Sequence, residues 1–158
     1  MNVFITRQIP DEIKNILMQE GHTVTEWTEK RVMTDSELID SCKQSDALFC
    51  INQKLDHDFF EECRHLKVVA TNSVGFDHID VAKATELKIP IGNTPNVLSK
   101  ATSDIAFLLM QNVARKAIFW HKEIVKGNWN FLDPFENLGI DLQGKTLGIF
   151  GLGRIGFD

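Results

Sequence analysis

Two glycine-bearing stretches have residue types and spacing suited to holding an anion. Gly151-Leu152-Gly153-Arg154-Ile155-Gly156 is a G-x-G-x-x-G string, and Lys145-Thr146-Leu147-Gly148-Ile149-Phe150 just before it predicts a short strand. After a strand, each glycine has a physical use: Gly151 permits a tight turn, Gly153 lets backbone approach a pyrophosphate, and Gly156 lets the next helix pack on the sheet. Glycine-rich turns after strands also occur as plain connections, so the string alone leaves both readings open. The second stretch, Thr71-Asn72-Ser73-Val74-Gly75-Phe76-Asp77, follows a predicted buried strand. It therefore lies at the carboxyl end of a parallel sheet, where ligands of such sheets bind. Backbone N–H groups at Val74 and Gly75 could hold a carboxylate there. The alternative is an ordinary strand-to-helix turn in which Gly75 supplies an unusual backbone angle.

Other reactive side chains give weaker leads. Cys42, Cys50 and Cys63 are odd in number and lack C-x-x-C spacing, which points to buried reduced thiols rather than a metal site. His22, His57, His65, His78 and His121 each stand alone, with no partner at metal-ligand spacing and no adjacent nucleophile. No catalytic residue and no metal ligand is assigned. Lys and Arg number 17 against 22 Asp and Glu, for a formal net charge of -5, which argues against a nucleic-acid binder. No apolar run is long enough to cross a bilayer, and Arg7 interrupts the N-terminus too early for a signal peptide, leaving the cytoplasm as the expected location.

The elements that must position these stretches alternate between strand and helix, the pattern of a parallel sheet wrapped by helices. Strands are predicted at Asn2 to Thr6, Thr23 to Trp27, Ala47 to Ile51, Lys67 to Thr71 and Ile89 to Ile91. Helices are predicted from Pro10 to Gln19, Ser36 to Ser41, Asp58 to Arg64 and Ile79 to Glu86, after which Thr94-Pro95-Asn96 breaks the pattern. Ile105, Leu108, Leu109, Val113, Ala117, Trp120 and Ile124 then recur in steps of three and four, which predicts one long helix. Ser99 would cap its start, Asp104 would suit its positive end, and Gly127 would stop it. The stretch from Gly127 to Gly144, with Trp129, Phe131 and Phe135, reads as an excursion that packs on something else.

Six blocks in order then resemble one family. Thr6-Arg7-Gln8-Ile9-Pro10, Asn72 to Asp80, Asn93 to Leu98, Ala101-Thr102-Ser103-Asp104, Gly127-Asn128-Trp129 and Gly144 to Gly156 follow one another as in D-2-hydroxyacid dehydrogenases, and the opening block and the Val74-Gly75 loop look most like glyoxylate and hydroxypyruvate reductases. The resemblance implies an α/β chain with a flavodoxin-like substrate domain over 1–98 that is incomplete without a C-terminal helix. Residues 99–158 would be the interdomain helix, a dimerisation arm, and the truncated start of a Rossmann NAD(P)-binding domain. It implies that Val74 and Gly75 bind a substrate carboxylate, that Leu98 and Thr102 line the nicotinamide side, and that Gly151 to Gly156, through Leu152, Gly153, Arg154 and Ile155, meets the pyrophosphate of NAD or NADP. For Thr102 the alternative is a first-turn helix residue bonded to its own backbone.

By the same resemblance the substrate is a small 2-keto or 2-hydroxy acid, and a homodimer forms through 101–142 with Trp120, Trp129, Phe131 and Phe135 as aromatic anchors. Packing of these aromatics within the chain is the other reading. The family's Arg, Glu and His have no counterpart here, since Arg115 lies in the long helix and Arg154 in the phosphate loop. The sequence stops before the acidic residue expected about 20 positions beyond the glycine string, so a truncated chain that does not turn over is expected. A corepressor-like peptide-binding module on the same fold, and a non-functional truncated product, stand as alternatives.

Overall fold

Short extended runs become strands only when neighbours complete their hydrogen-bond ladders, and the first part of the chain supplies five such runs. The computed structural model describes residues 1–158, which divide into one unit from Met1 to Pro95 and another from Asn96 to Asp158. The first unit runs β1 (Asn2–Ile5), α1 (Asp11–Gln19), β2 (Thr23–Glu26), α2 (Asp35–Cys42), β3 (Ala47–Cys50), α3 (His57–Glu62), β4 (Val68–Thr71), α4 (Val81–Glu86) and β5 (Ile91–Gly92). All strands pair in parallel in the order β2-β1-β3-β4-β5, the flavodoxin-like order that the sequence led us to expect.

Strand alternation sorts the core onto two faces. Phe4 pairs in register with Leu48 and Leu48 with Val69, and all three join Leu38, Leu55, Phe59 and Phe60 in the larger buried cluster. Val3, Ile5 and Ala47 point the other way into a smaller cluster with Leu17, Phe49 and Val68. Fully burying a side chain such as Leu38 or Phe60 contributes about 1.5–3 kcal/mol, which holds α2 and α3 on the first face. Coverage of the second face is thinner, because α1 buries no residue completely and Ile16 stays 62% exposed. Cys42, Cys50 and Cys63 are buried and free. Burial pushes the Cys50 thiol up to about 11, and its S–H donates to the Gln53 carbonyl at 3.4 Å.

The start of α2 is closed by a reciprocal cap. Thr34 Oγ accepts from the Glu37 N–H at 3.3 Å while the Glu37 carboxylate accepts from the Thr34 N–H at 2.9 Å. Arg31 donates to both Glu37 carboxylate oxygens, at 2.8 and 2.6 Å. The Arg31 bonds, with the Thr34 N–H second, hold the Glu37 carboxyl down at about 2.

In the second unit the helical periodicity yields two helices, α5 (Ser99–Arg115) and α6 (Ala117–Val125), rather than one. Lys116 between them is left-handed, with φ 55°. A continuous helix would pair the Ala114 carbonyl with the Ile118 N–H. Instead the Ala114 carbonyl accepts from the Ile140 N–H at 2.7 Å, and the Ile118 N–H donates to Asn112 Oδ1 at 3.0 Å. The chain returning at 139–140 thus takes the acceptor that would have continued the helix, an exchange that periodicity does not register. Ser99 is the first helical residue rather than the cap, since Leu98 occupies that place with no side-chain bond, and Asp104 lies beyond the first turn. Gly127 does end α6, with φ 77° and its N–H on the Ile124 carbonyl.

Lys145 to Phe150 forms no strand. No strand pairs with it to complete a ladder, and apolar residues alone do not make a strand. The glycine string, by contrast, does lead into helical backbone, the single turn α7 (Arg154–Phe157).

Each of these contacts has a measurable consequence. Thr34→Ala should lower stability by about 1 kcal/mol in urea unfolding. Because the folded Glu37 carboxyl lies below its ordinary value of 4.5, the Arg31–Glu37 contribution is complete above that pH and is lost as pH falls towards about 2. Glu37→Gln should flatten that part of the stability profile. Gly139→Ala should destabilise the second unit by about 1–3 kcal/mol in thermal unfolding, because a Cβ there would stand 2.7 Å from the Ala114 oxygen and 2.9 Å from Arg115 Cα.

Candidate functional site

Beyond β4 the loop from Asn72 to Asp80 is tied at both ends. Upstream, β4 pairs with β3 through Cys50 and Thr71. Downstream, the Leu55 N–H donates to the His78 carbonyl and the Asp80 N–H to the Leu55 carbonyl, each at 2.8 Å. Between these anchors the carbonyl oxygens are occupied one after another. The Ser73 carbonyl accepts from the Thr94 N–H at 3.0 Å, and the Val74 carbonyl from the Asn93 side-chain amide at 2.8 Å. The Gly75 carbonyl accepts from the Ser73 hydroxyl at 2.7 Å, so at the 2.9 Å contact Thr71 is the donor to Ser73 Oγ.

A trans peptide places its N–H opposite its C=O. With the Ser73 and Val74 carbonyls both turned towards residues 93 and 94, the N–H groups of Val74 and Gly75 both point away from that segment. Neither donates to any acceptor within the chain. Two neighbouring N–H groups aimed one way make a concavity for an anion. Gly75 does not have a positive φ, so the turn does not use it for an unusual backbone angle. A Cβ there would meet only Asp77 Oδ2, at 3.4 Å, and the glycine leaves the backbone open to approach.

Thr71 opens the loop stretch and Asn93 and Thr94 open a later motif block, but their types and spacing gave none of the three a positioning role. For Asn93 and Thr94 the signal was that β5 neighbours β4, so residues just past the end of β5 reach the same loop.

In the second unit Gly151 has φ 97°, as a tight turn requires. Gly153 precedes α7, and its carbonyl accepts from the Phe157 N–H at 3.0 Å. The N–H groups of Leu152, Gly153, Arg154 and Ile155 donate to nothing in the chain. Any Cβ on Gly156 would collide with the Gly151 carbonyl, so the absence of a side chain lets the loop close on itself. Asn96, Ser99, Leu152, Gly153 and Arg154 line one shallow cleft, which Leu98 and Thr102 do not reach. The Thr102 hydroxyl donates to the Leu98 carbonyl at 2.9 Å, the backbone bond of the alternative reading, and leaves its oxygen an acceptor.

No His, Cys, Asp or Glu group of three is placed to hold a metal ion, and no helix is long and apolar enough to cross a membrane. His65 meets the Cys42 carbonyl at 3.0 Å and His22 the N-terminal amine at 3.2 Å. Trp120 packs edge-on against both Phe119 and Trp129, with ring centroids 5.2 and 5.0 Å apart, while Phe131 and Phe135 remain exposed.

Comparison with known proteins agrees with the fold. The model of the D-isomer specific 2-hydroxyacid dehydrogenase catalytic domain matches residues 3–143. A glyoxylate reductase of Pyrococcus furiosus is 40% identical over 159 residues, covering 98% of this chain and 47% of the relative. The crystal structure of the TT0316 protein of Thermus thermophilus superposes with a TM-score of 0.92 at 34% identity, over 99% of this chain and 50% of that one. An NADPH-dependent glyoxylate/hydroxypyruvate reductase of Sinorhizobium meliloti, solved with NADP and malonate, gives a TM-score of 0.77 at 25% identity, over 99% of this chain and 47% of that one. The chain spans about half the length of the curated relatives it matches. With a family model matched across most of its residues, the chain belongs to the D-isomer specific 2-hydroxyacid dehydrogenases.

Proposed function

We propose that this chain carries the substrate-carboxylate loop and the pyrophosphate loop of an NAD(P)H-dependent reductase. The enzyme would reduce a small 2-keto acid of the glyoxylate or hydroxypyruvate type to the D-2-hydroxy acid. The observation that carries the reading is the pair of unengaged N–H groups at Val74 and Gly75, beyond the carboxyl end of β4. Such a pair binds a carboxylate without a charged side chain, and the chemistry suits the substrates named for the glyoxylate reductases it is similar to.

The bound nicotinamide cofactor would supply the hydride. Gly151, Leu152, Gly153, Arg154, Ile155 and Gly156 would hold its pyrophosphate through free N–H groups, with the Arg154 side chain adding positive charge. Leu98 would offer an apolar surface to the nicotinamide side, and the Thr102 oxygen an acceptor. Orientation and general acid-base transfer need an Arg and a His held by a carboxylate in the family the sequence resembles, and the histidine contacts here are to a carbonyl and an amine. These 158 residues alone therefore would not turn over. Exposed Phe131 and Phe135, with Trp129, suit a homodimer through 101–142.

The test is titration of the 15N-labelled chain with oxalate, a non-reducible carboxylate probe, followed at the Val74 and Gly75 amides. Saturable downfield shifts are expected. Gly75→Val should weaken binding roughly tenfold by crowding the approach, and Val74→Ala should change it less than about twofold. A larger loss for Val74→Ala would sink the backbone assignment. Nicotinamide absorbance with glyoxylate and hydroxypyruvate should show no saturable turnover by the chain alone, and turnover surviving purification would overturn that part of the proposal. Sedimentation should show self-association, and a clean monomer at high concentration counts against the dimer.

A further inference from the structure

Asn93 lies just past the end of β5, half-buried, with its side-chain amide on the Val74 carbonyl at 2.8 Å. Because a carbonyl only accepts, the NH2 end of the side chain must face it. The peptide that joins Val74 to Gly75 can in principle face either way, by rotation about the bonds on either side of it. Glycine resists that rotation least of all residues, since positive φ is open to it. In one setting the Gly75 N–H faces the anion concavity. In the other the Val74 oxygen would face it and repel a carboxylate. The Ser73 carbonyl, on the other peptide whose N–H faces the concavity, is tied by the backbone N–H of Thr94. The Val74 carbonyl is held by a side chain alone.

Resting on the reading of Val74 and Gly75 as the carboxylate loop, we infer that Asn93 is a positioning residue. It locks the Val74–Gly75 peptide so that the Gly75 N–H is presented to the substrate carboxylate, and it does not touch the substrate itself. The same glycine that opens the loop to a ligand makes the peptide free to turn, and the Asn93 amide removes that freedom.

The experiment is the oxalate titration repeated on Asn93→Asp, which keeps the shape and loses the donor, on Asn93→Leu, and on Asn93→Gln, which keeps the amide on a longer arm. Loss of one hydrogen bond of ordinary strength predicts roughly tenfold weaker binding for Asp and Leu, with partial recovery in Gln. The Gly75 amide should also broaden through conformational exchange while amides of β1 and β3 keep their shifts, a signature that general loss of structure would not give. If Asn93→Leu fails to fold, the isosteric Asp variant decides. Binding by the wild-type chain with unchanged affinity in Asp and Leu overturns the role of Asn93 and leaves the loop reading standing. Absence of oxalate shifts at Val74 and Gly75 in the wild type overturns both.

Discussion

Parallel strands share one direction, so the five strands of the first unit deliver all their carboxyl ends to a single edge of the sheet. The position of everything at that edge depends on which strands are neighbours. The register of β4 with β5, Val69 beside Ile91 and Ala70 beside Gly92, brings Asn93 and Thr94 alongside Ser73 and Val74. The register of β3 with β4 sets Cys50 beside Thr71, whose hydroxyl begins the short relay through Ser73 to the Gly75 carbonyl. The loop is thus an extension of the sheet's hydrogen bonding rather than a free connection.

The same requirement, that backbone groups find partners, explains the second unit. At Ala114 the returning chain competes for a carbonyl, and the helix gives way to a left-handed Lys116, a conformation that costs an L-residue roughly 1–2 kcal/mol. Asn112 repairs part of the break by accepting the Ile118 N–H. In the segment from Lys145 to Phe150 the rule acts in reverse. Leu147, Ile149 and Phe150 have the apolar character of a strand, but no second strand lies alongside, and they remain exposed.

Charge has a smaller part than geometry in the candidate sites. The anion concavity at Val74 and Gly75 is built from neutral backbone, and the groups with displaced titration lie elsewhere. Lys83, half surrounded by Glu61 and Glu86, links α3 to α4, and those carboxylates push its ammonium up. Glu37, between Arg31 and the Thr34 N–H, closes α2. These pairs fasten helices on the larger core face, and none belongs to the loop that would meet a ligand.

By itself the sequence determined the alternation of strands and helices, the parallel class of the sheet, the buried thiols and the two glycine-bearing loops. Each depends on local periodicity or on residue types a few positions apart, such as Val3 and Ile5 against Phe4, or Gly151 with its φ of 97°. Family membership was legible for the same reason, since six blocks keep their order along the chain. Tertiary structure decided what depends on groups far apart in sequence. Asn93 reaches Val74 across 19 positions, and Ile140 takes the Ala114 carbonyl from the helix it would have prolonged. A hydrogen bond or a steric limit between distant segments leaves no periodic trace in either one, because it exists only once the chain has brought them together.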